Sequence, residues 1–337
     1  GTKEKSTAQS CAECLKYVVC NADEGEPGTF KDRVIMETDP HNLIEGMLIA
    51  GWSVGASKGF IYIRGEYHLS IDRVRKAIQD AELKGFLGEN IFNTNFDFTI
   101  EVKLGGGSYL CGEELTLLES LEGKRGYPRI KPPYPAQKGL WGLPTLINNV
   151  ETLANFAPII LHGADWYKSF GTEKSPGTKI FTLSGDIGNP GHYEVDMGIK
   201  LEDLINKFGG GVKGSKTIKA VLLGGAAGTF ASSKHLTTPL DFDFLKDQGL
   251  TLGSGAVMVM NENRSIINML ISTLDFFKHE SCGKCIPCRI GTVQILNALH
   301  EINGKSPKER EAVFINIVNQ AEMMAKTSLC PLGQSPI

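Results

Sequence analysis

Three cysteines spaced two residues apart constrain this chain more than any other feature of its sequence. Cys282, Cys285 and Cys288 form a C-x2-C-x2-C pattern, and Cys330 follows as a distant fourth thiol. Three ligands at this spacing wrap one face of an iron–sulfur cubane, and a remote cysteine binds the fourth iron. Structural zinc sites usually take their ligands as two separated pairs. The pattern therefore favours a 4Fe–4S cluster, with a zinc-stabilised interaction module as the alternative.

The other cysteines carry a weaker signal. The chain has eight cysteines in 337 residues, and their uneven spacing does not form the disulfide framework of a small secreted protein. Cys11 and Cys14 make a single C-x2-C pair, with Cys20 nearby. Half of a zinc site or a redox pair is one interpretation, but unliganded thiols are favoured because no fourth ligand lies close in sequence.

Length and charge limit the class of protein. At ~150 residues per domain, the chain holds two or three domains. The 35 Lys and Arg residues and 38 Asp and Glu residues leave a net charge of −3 without a block of like charge, so we expect no nucleic-acid partner. The longest stretches without charge, 220–233 and 248–261, are shorter than the ~18 residues of a membrane helix. We expect a cytoplasmic protein without a direct membrane span, since no signal peptide opens the sequence.

Residues 15–150 alternate short β-type runs with helical stretches, which predicts an α/β layer around a largely parallel sheet. The predicted strands are 17–20, 59–64 and 98–103, and the predicted helices are 43–56, 68–84 and 113–121. From residue 178 the pattern changes to a small α+β unit with strands at 179–184, 193–196 and 219–223 and a helix at 201–208. After Met260, apolar residues recur at helical spacing to the end of the chain.

Two loops and an asparagine pair are candidate binding elements. The acidic loop, residues 20–28, places three carboxylates within four residues, and it fits either a solvated turn or a ligand site. The glycine loop, residues 105–114, leads into a predicted helix whose first amides can take a phosphate, although it lacks the Lys-Ser/Thr of a P-loop. Asn148 and Asn149 fit either contacts to a ring edge or turn and cap chemistry.

Five segments carry a resemblance to a known family. They are CNADEGEPGTFKDR at 20–33, YLCGEE at 109–114, KPPYPAQKGLWG at 131–142, INNVETL at 147–153 and ESCGKCIPCRIGT at 280–292. From about residue 15 to 337 the chain resembles the flavin subunit of NADH dehydrogenases. That family includes the NADH-binding, 51 kDa-type subunit of respiratory complex I. It also includes subunits of NAD-linked hydrogenases, some of them electron-bifurcating, and of NAD-dependent formate dehydrogenases.

The resemblance implies a three-part fold. An FMN-binding α/β domain with a parallel sheet is expected over 1–172, a small β-grasp (α+β) domain over 173–258, and a helical bundle carrying a 4Fe–4S cluster over 259–337. The family has a glycine-rich segment of the type GRGGAGFP upstream of the acidic loop, and this sequence begins about where that segment would end. We therefore expect part of the flavin pocket to come from chain that precedes Gly1, and soluble relatives often continue into further iron–sulfur modules beyond the counterpart of Cys330.

Site residues carry over by motif. The implied FMN contacts are Asn21, Asp23, Tyr109, Gly112, Glu113, Asn148 and Asn149, and Glu24 of the acidic loop belongs to the same cofactor-binding set. The implied NAD(H) contacts are Glu26, Glu114 and Tyr134, the last of which is commonly Phe in the family. The implied cluster ligands are Cys282, Cys285, Cys288 and Cys330. No side chain is expected to act as a catalytic acid or base, because the hydride passes from cofactor to cofactor.

The implied activity is that of an oxidoreductase subunit. NADH reduces the flavin, or NAD+ is reduced in the reverse direction, and single electrons pass through the 4Fe–4S cluster within a multisubunit complex. We expect the host to be a soluble NAD-linked hydrogenase or formate dehydrogenase. The alternatives are the NADH-input subunit of complex I and a flavin-less iron–sulfur relay or scaffold. The implied partners are other iron–sulfur subunits, including a 2Fe–2S thioredoxin-like subunit, and a catalytic hydrogenase, formate dehydrogenase or quinone-reducing module.

Overall fold

The structure, a computed structural model, describes residues 15–302 and 304–337, so Cys11 and Cys14 lie outside the described residues. The chain forms two compact units. The first contains residues 15–25 and 32–162, and the second contains residues 26–31 and 163–337. The division into three domains at residues 172 and 258 stays a prediction.

The first unit is built around one five-stranded sheet. Its strands are β1 (Tyr17–Ala22), β2 (Lys58–Arg64), β3 (Gly88–Ile91), β4 (Phe96–Gly105) and β5 (Thr145–Asn149), in the order β3-β4-β2-β1-β5. All neighbouring strands in this sheet are parallel except β3 and β4. Its helices are α1 (Lys31–Thr38), α2 (Pro40–Val54), α3 (His68–Leu83), α4 (Glu114–Leu121), α5 (Pro135–Lys138), α6 (Val150–Ala154) and α7 (Phe156–His162). The predicted α/β layer is confirmed.

Strand β1 forms the centre of this unit because both of its faces are buried. Val18 and Cys20 point into a core that also contains residues of α2 and α3, such as Met47 and Val74. The alternate residue Val19 packs with Leu115 of α4 on the opposite face. A continuous apolar run of this kind is typical of a strand in a parallel sheet that is covered on both sides.

The strand order places a topological switch point at β1. From β1 the chain adds β2 and then β4 on one side, and it returns much later to add β5 on the other side. In open parallel sheets, ligands bind outside the carboxyl ends of the strands at such a point. The ends of β1 and β5, at Ala22 and Asn149, therefore form the edge where a cofactor is expected.

The second unit combines a mixed sheet with helices. Its strands are β6 (Thr178–Gly185), β7 (Gly191–Asp196), β8 (Ile218–Leu223), β9 (Thr229–Ala231) and β10 (Ala256–Asn261), in the order β7-β6-β10-β8-β9. Its helices are α8 (Ala164–Lys168), α9 (Leu201–Asp203), α10 (Phe242–Asp247), α11 (Ile266–Glu280), α12 (Ile286–His300), α13 (Pro307–Thr327) and α14 (Pro331–Gln334). The helix predicted over 201–208 is confirmed, with α9 continuing as a π-helical turn over Leu204–Phe208.

The predicted C-terminal helices are also confirmed, and they share their own apolar core. Leu274 of α11 packs with Ile295 and Leu299 of α12 and with Met324 of α13. Over the described ranges, no helix is both long enough and apolar enough to cross a bilayer.

Gly46 tests how closely α2 packs in the first unit. A Cβ atom added at this position would lie 2.1 Å from the Leu153 carbonyl oxygen. Helix propensity alone predicts that Gly46→Ala adds about 1 kcal/mol of stability. We expect the opposite, a loss of about 1–3 kcal/mol in the free energy of unfolding, because the backbone must shift to relieve the overlap.

Denaturant unfolding measures this change. The control is Gly106→Ala, since a Cβ atom at Gly106 meets no heavy atom within 4 Å and this glycine does not have a positive φ. Equal stability of the Gly46→Ala protein and the wild type would contradict the close packing described here.

Candidate cofactor and cluster sites

The carboxyl end of β1 is tied to the glycine loop. The Asn21 carboxamide donates to the Gly112 carbonyl oxygen at 2.9 Å and accepts from the Asp23 amide at 3.2 Å. A Cβ atom on Gly25 would lie 2.3 Å from Arg64 Nη1 and 3.1 Å from Tyr109 Cα, so a side chain at this position would displace the Arg64 guanidinium. The structure therefore brings the acidic loop and the Tyr109–Gly112 turn together at the switch point.

Asp23 introduces a buried charge at this edge. Its side chain is almost completely buried, and the carboxylate lies 3.9 Å from the Arg64 guanidinium. Arg64 is itself mostly buried and also pairs with Glu66. Burial alone would lower the pKa of Arg64, but its hydrogen bond to Glu66 and the Asp23 charge outweigh that effect and raise it. The edge therefore holds fixed charges of both signs close to the β1 terminus.

Glu24 has a structural partner that the sequence did not reveal. Its Oε1 accepts from the Asp32 amide at 2.9 Å, and its Oε2 accepts from the Arg33 amide at 3.1 Å. The Tyr67 hydroxyl donates to the same carboxylate at 3.2 Å. Burial, followed by the Glu24 charge, raises the pKa of Tyr67. Glu24 thus caps the first turn of α1, and its assignment to the cofactor stays a prediction.

Two amides at the N-terminus of α4, which the sequence offered as a possible phosphate site, already have an acceptor within the chain. Glu113 is the N-cap of α4, and its Oε2 accepts from the Leu115 amide at 3.1 Å and from the Thr116 amide at 2.9 Å. The Thr116 hydroxyl donates to the same oxygen. Because a carboxylate of the chain already occupies these donors, a phosphate at this helix end would compete with Glu113.

The two asparagines that end β5 differ in their hydrogen bonds: the Asn149 carboxamide bonds to other residues of the chain, and that of Asn148 does not bond to any described residue. Asn149 donates to the Asn21 carbonyl at 3.3 Å and to Asp32 Oδ2 at 2.7 Å, and its Oδ1 accepts from the Glu151 amide at 3.1 Å as the cap of α6. No residue in the described part of the chain hydrogen-bonds to the Asn148 carboxamide. Asn148 therefore retains both a donor and an acceptor for a ligand.

Lys131 joins the predicted site, although its sequence pattern did not single it out. Its ammonium lies 2.6 Å from Glu114 Oε1 and 3.0 Å from Glu113 Oε1. Burial lowers the pKa of Lys131, but its pairing with Glu114 and Glu113 outweighs burial and raises it. Tyr134, three residues further on, is more than half exposed. The only sequence signal was a lysine inside a motif that is otherwise rich in proline.

Glu26 belongs to the second unit, unlike the other predicted cofactor-binding residues. Its Oε1 accepts from the Ala227 amide at 3.0 Å, and a Cβ atom on Gly225 would overlap its side chain. The same short segment is fixed to the second sheet by a hydrogen bond from the Thr182 hydroxyl to the Gly28 carbonyl at 2.6 Å. The acidic loop thus contributes residues to both units.

Three of the four predicted cluster ligands lie at helix starts, and Cys282 follows the end of α11. Cys285 is the N-cap of α12 and Cys288 lies in the first turn of that helix, whereas Cys330 is the N-cap of α14. Cys288 and Cys330 are buried, and Cys282 and Cys285 are partly exposed. Gly283, with φ +75°, allows the sharp turn between the first two cysteines. Such helix starts present amide groups that stabilise negative charge on sulfur.

The pKa values of Cys288 and Cys330 are each influenced by other predicted ligand thiols, as expected for cysteines that line a single site. Burial raises the pKa of Cys330 to about 11, and the amides of Gly333 and Leu332, which bond to its sulfur, oppose that rise. Burial likewise raises the pKa of Cys288, which interacts with both Cys282 and Cys285. Among residues 15–302 and 304–337, no three His, Cys, Asp or Glu side chains are gathered tightly enough for a single metal ion. A donor set of thiolates suits iron–sulfur clusters, whose sulfur ligands surround several irons instead of one.

Three known protein domains match successive parts of the chain and together cover most of it. Residues 1–157 match the Nuo51 FMN-binding domain, residues 179–259 match the SLBB domain, and residues 268–337 match the NADH-ubiquinone oxidoreductase-F iron-sulfur binding region. These matches cover both the edge formed by β1 and β5 and the four cysteines.

Individual relatives are similar over nearly the whole chain. The NADP-reducing hydrogenase subunit HndC of Solidesulfovibrio fructosivorans is 47% identical over 95% of this chain and 65% of its own length. The NADH-quinone oxidoreductase F subunit of Aquifex aeolicus is 46% identical over 94% of this chain and 73% of its own length. A crystal structure of an NAD+-reducing [NiFe]-hydrogenase in the H2-reduced state matches with a TM-score of 0.86 and 37% identity, over 96% of this chain and 54% of that one. The chain thus spans between about half and three quarters of these proteins.

Glu24 allows its capping role to be measured separately from cofactor binding. In flavin-free protein, Glu24→Ala should lower the free energy of unfolding by about 0.5–2 kcal/mol, because two α1 amides lose their acceptor. The matched control is Glu45→Ala, which removes an exposed carboxylate from α2 and should change stability by less than about 0.5 kcal/mol. Unchanged stability of flavin-free Glu24→Ala, measured by thermal or denaturant unfolding, would show that the cap does not stabilise this unit.

Proposed function

The chain belongs to the family of NADH-quinone oxidoreductase F subunits, and from that membership we propose that it is the NADH-oxidising flavin subunit of a multisubunit oxidoreductase. FMN binds in the first unit and one 4Fe–4S cluster binds in the second. The observation that carries this proposal is the convergence of Asn21, the Tyr109–Gly112 turn and Asn148 at the switch point of the first sheet. That edge lies within the range that matches the FMN-binding domain.

The chain's own groups suit a flavin ring. When bound, FMN supplies the conversion between hydride transfer, which moves two electrons, and single-electron transfer. Asn148 offers a carboxamide that can both donate to and accept from the polar edge of the ring, and we assign that contact to Asn148 in preference to Asn149. Asn149 instead connects β1, α1 and α6 through its hydrogen bonds. Asn21 and Gly112 hold the turn that carries Tyr109 against the end of β1.

Glu114, Lys131 and Tyr134 form the proposed contacts to the nicotinamide nucleotide in the first unit. The exposed Tyr134 ring provides a surface on which adenine can stack. The Glu114 carboxylate can accept hydrogen bonds from ribose hydroxyls. Lys131 neutralises part of that carboxylate's charge, so repulsion of a 2′-phosphate is weaker than Glu114 alone would produce.

The host complex is a further part of the proposal. The relatives include a hydrogenase subunit and subunits of NADH-quinone oxidoreductases. We therefore propose partners that contain further iron–sulfur clusters, including a 2Fe–2S thioredoxin-like subunit, and a hydrogenase, formate dehydrogenase or quinone-reducing module, in a cytoplasmic setting. Identification of the subunits that co-purify with the chain distinguishes these hosts.

Cys330→Ser tests the proposed division between flavin and cluster. The wild-type complex should contain FMN, and this chain should account for about four irons and four sulfides at the cluster. Loss of the Cys330 ligand should remove most of that iron, while NADH still reduces the flavin because hydride transfer does not need the cluster. Cys20→Ala is the control, because it removes a buried thiol of β1 and should leave the iron content unchanged. Zinc in place of iron, or absence of flavin absorption, would contradict the proposal.

A pair of variants with opposite charge effects tests the choice of nucleotide. Glu114→Gln should increase kcat/KM for NADPH relative to NADH by roughly fivefold, because a repulsion of about 1 kcal/mol is removed. Lys131→Met should move the same ratio in the opposite direction, since it leaves Glu113 and Glu114 without their cation.

The matched control is Glu101→Gln, which removes a surface carboxylate that also pairs with lysines. If the ratio for Glu114→Gln equals that of the wild type and the control, Glu114 acts only as a charge in the first turn of α4.

A further inference from the structure

Two serine hydroxyls lie beside the proposed cluster ligands, and neither belongs to the ligand set. Ser281 ends α11, and its Oγ lies 3.3 Å from the sulfur of Cys288. The Gly283 amide donates to the same Oγ at 3.4 Å. The Gly283 amide occupies only a lone pair of the Ser281 oxygen. The single hydrogen of the Ser281 hydroxyl therefore remains available for donation to the Cys288 sulfur. A thiolate ligand can only accept, so Ser281 is the donor whenever Cys288 binds iron.

The second hydroxyl belongs to Ser328, which lies two residues before Cys330. Ser328 is buried, and its Oγ has no hydrogen-bond partner among the residues that the structure describes. A Cβ atom added to Gly333 would lie 2.6 Å from this Oγ and 2.8 Å from Cys288 Cβ. The hydroxyl and the Cys288 side chain therefore approach the same point from two sides. A buried hydroxyl without a hydrogen-bond partner among the described residues requires an explanation. An acceptor atom on a bound group would provide the missing partner.

We propose that Ser281 and Ser328 are positioning residues that donate hydrogen bonds to the sulfur atoms of the cluster and thereby raise its reduction potential. The inference rests on the proposed function only in requiring that the four cysteines hold a 4Fe–4S cluster. Ser281 would donate to the Cys288 thiolate, and Ser328, whose Oγ lies beside Gly333, would donate to a sulfur atom of the bound cluster.

The electrostatic reason is that reduction adds one electron to the cluster and no proton to the protein. The added negative charge is shared with the sulfur atoms, so a hydrogen bond to sulfur becomes stronger in the reduced state. A donor that stabilises the reduced state more than the oxidised state raises the potential. Amides of Leu332 and Gly333 at the Cys330 sulfur act in the same direction.

An EPR-monitored redox titration of the holoprotein with dithionite tests the proposal. Ser281→Ala and Ser328→Ala should each lower the midpoint potential of this cluster while iron and sulfide contents stay at the wild-type level. Ser281→Thr keeps a hydroxyl and should keep the potential close to that of the wild type. Ser335→Ala is the matched control, because the Ser335 hydroxyl donates to the Pro331 carbonyl at 2.7 Å within α14 and should not affect the potential.

Pulsed EPR of reduced protein in D2O gives a second readout that does not depend on the potential. Exchangeable deuterons should couple to the wild-type cluster, and each alanine variant should lose one such coupling, whereas Ser281→Thr retains it. If Ser281→Ala fails to assemble a cluster, Ser281→Thr and Ser328→Ala still decide the question. Unchanged potentials and couplings in both alanine variants with full iron would overturn the inference alone. Wild-type protein without a 4Fe–4S cluster would overturn the proposed function.

Discussion

The reversal of strand order at β1 is the constraint on which the first unit depends. β1 is buried on both faces and pairs in parallel with β2 and β5, so the carboxyl ends of these three strands meet at one edge. At that edge the chain leaves the sheet through the loops that follow the strands. The hydrogen bond from Asn21 to Gly112 joins the end of β1 to the loop that follows β4. The strand order therefore determines where the proposed site lies, and the individual side chains determine only what it can bind.

Carboxylates at this edge serve the fold as well as the proposed chemistry. Glu24 caps α1, and Glu113 caps α4, so two of the acidic residues of the site secure the starts of helices. Glu113 caps α4 through its Oε2, and Lys131 pairs with its Oε1. Removal of such a residue would therefore disturb binding and stability together.

In the region of the four cysteines, helix starts are again occupied by candidate site residues, here Cys285 and Cys330 instead of carboxylates. Three of the proposed ligands come from one short loop and the start of α12, and the fourth comes from the start of α14. Gly333 allows Ser328 and Cys288 to approach each other, because a side chain at that position would overlap both. The Ser281 hydroxyl lies near the Cys288 sulfur, and the amides of Leu332 and Gly333 bond to the Cys330 sulfur. The spacing of the cysteines in the sequence does not specify these hydrogen-bond donors.

The sequence by itself determined the periodic and the local features. Alternation of strands and helices predicted the parallel sheet, and cysteine spacing predicted three of the proposed cluster ligands, because these signals depend on neighbours in the chain. Strand β5 was missed, since its sequence, TLINN, is short and ends in two polar residues that also suit a turn. Only the tertiary structure decided that Glu24 and Glu113 are caps and that Lys131 pairs with Glu114. It also decided that the Asn149 carboxamide is engaged at both its nitrogen and its oxygen, whereas no described residue hydrogen-bonds to the Asn148 carboxamide. Each of these facts depends on which distant groups share a donor or an acceptor, and that pairing is set by packing across the fold and not by the neighbours of a residue in the chain.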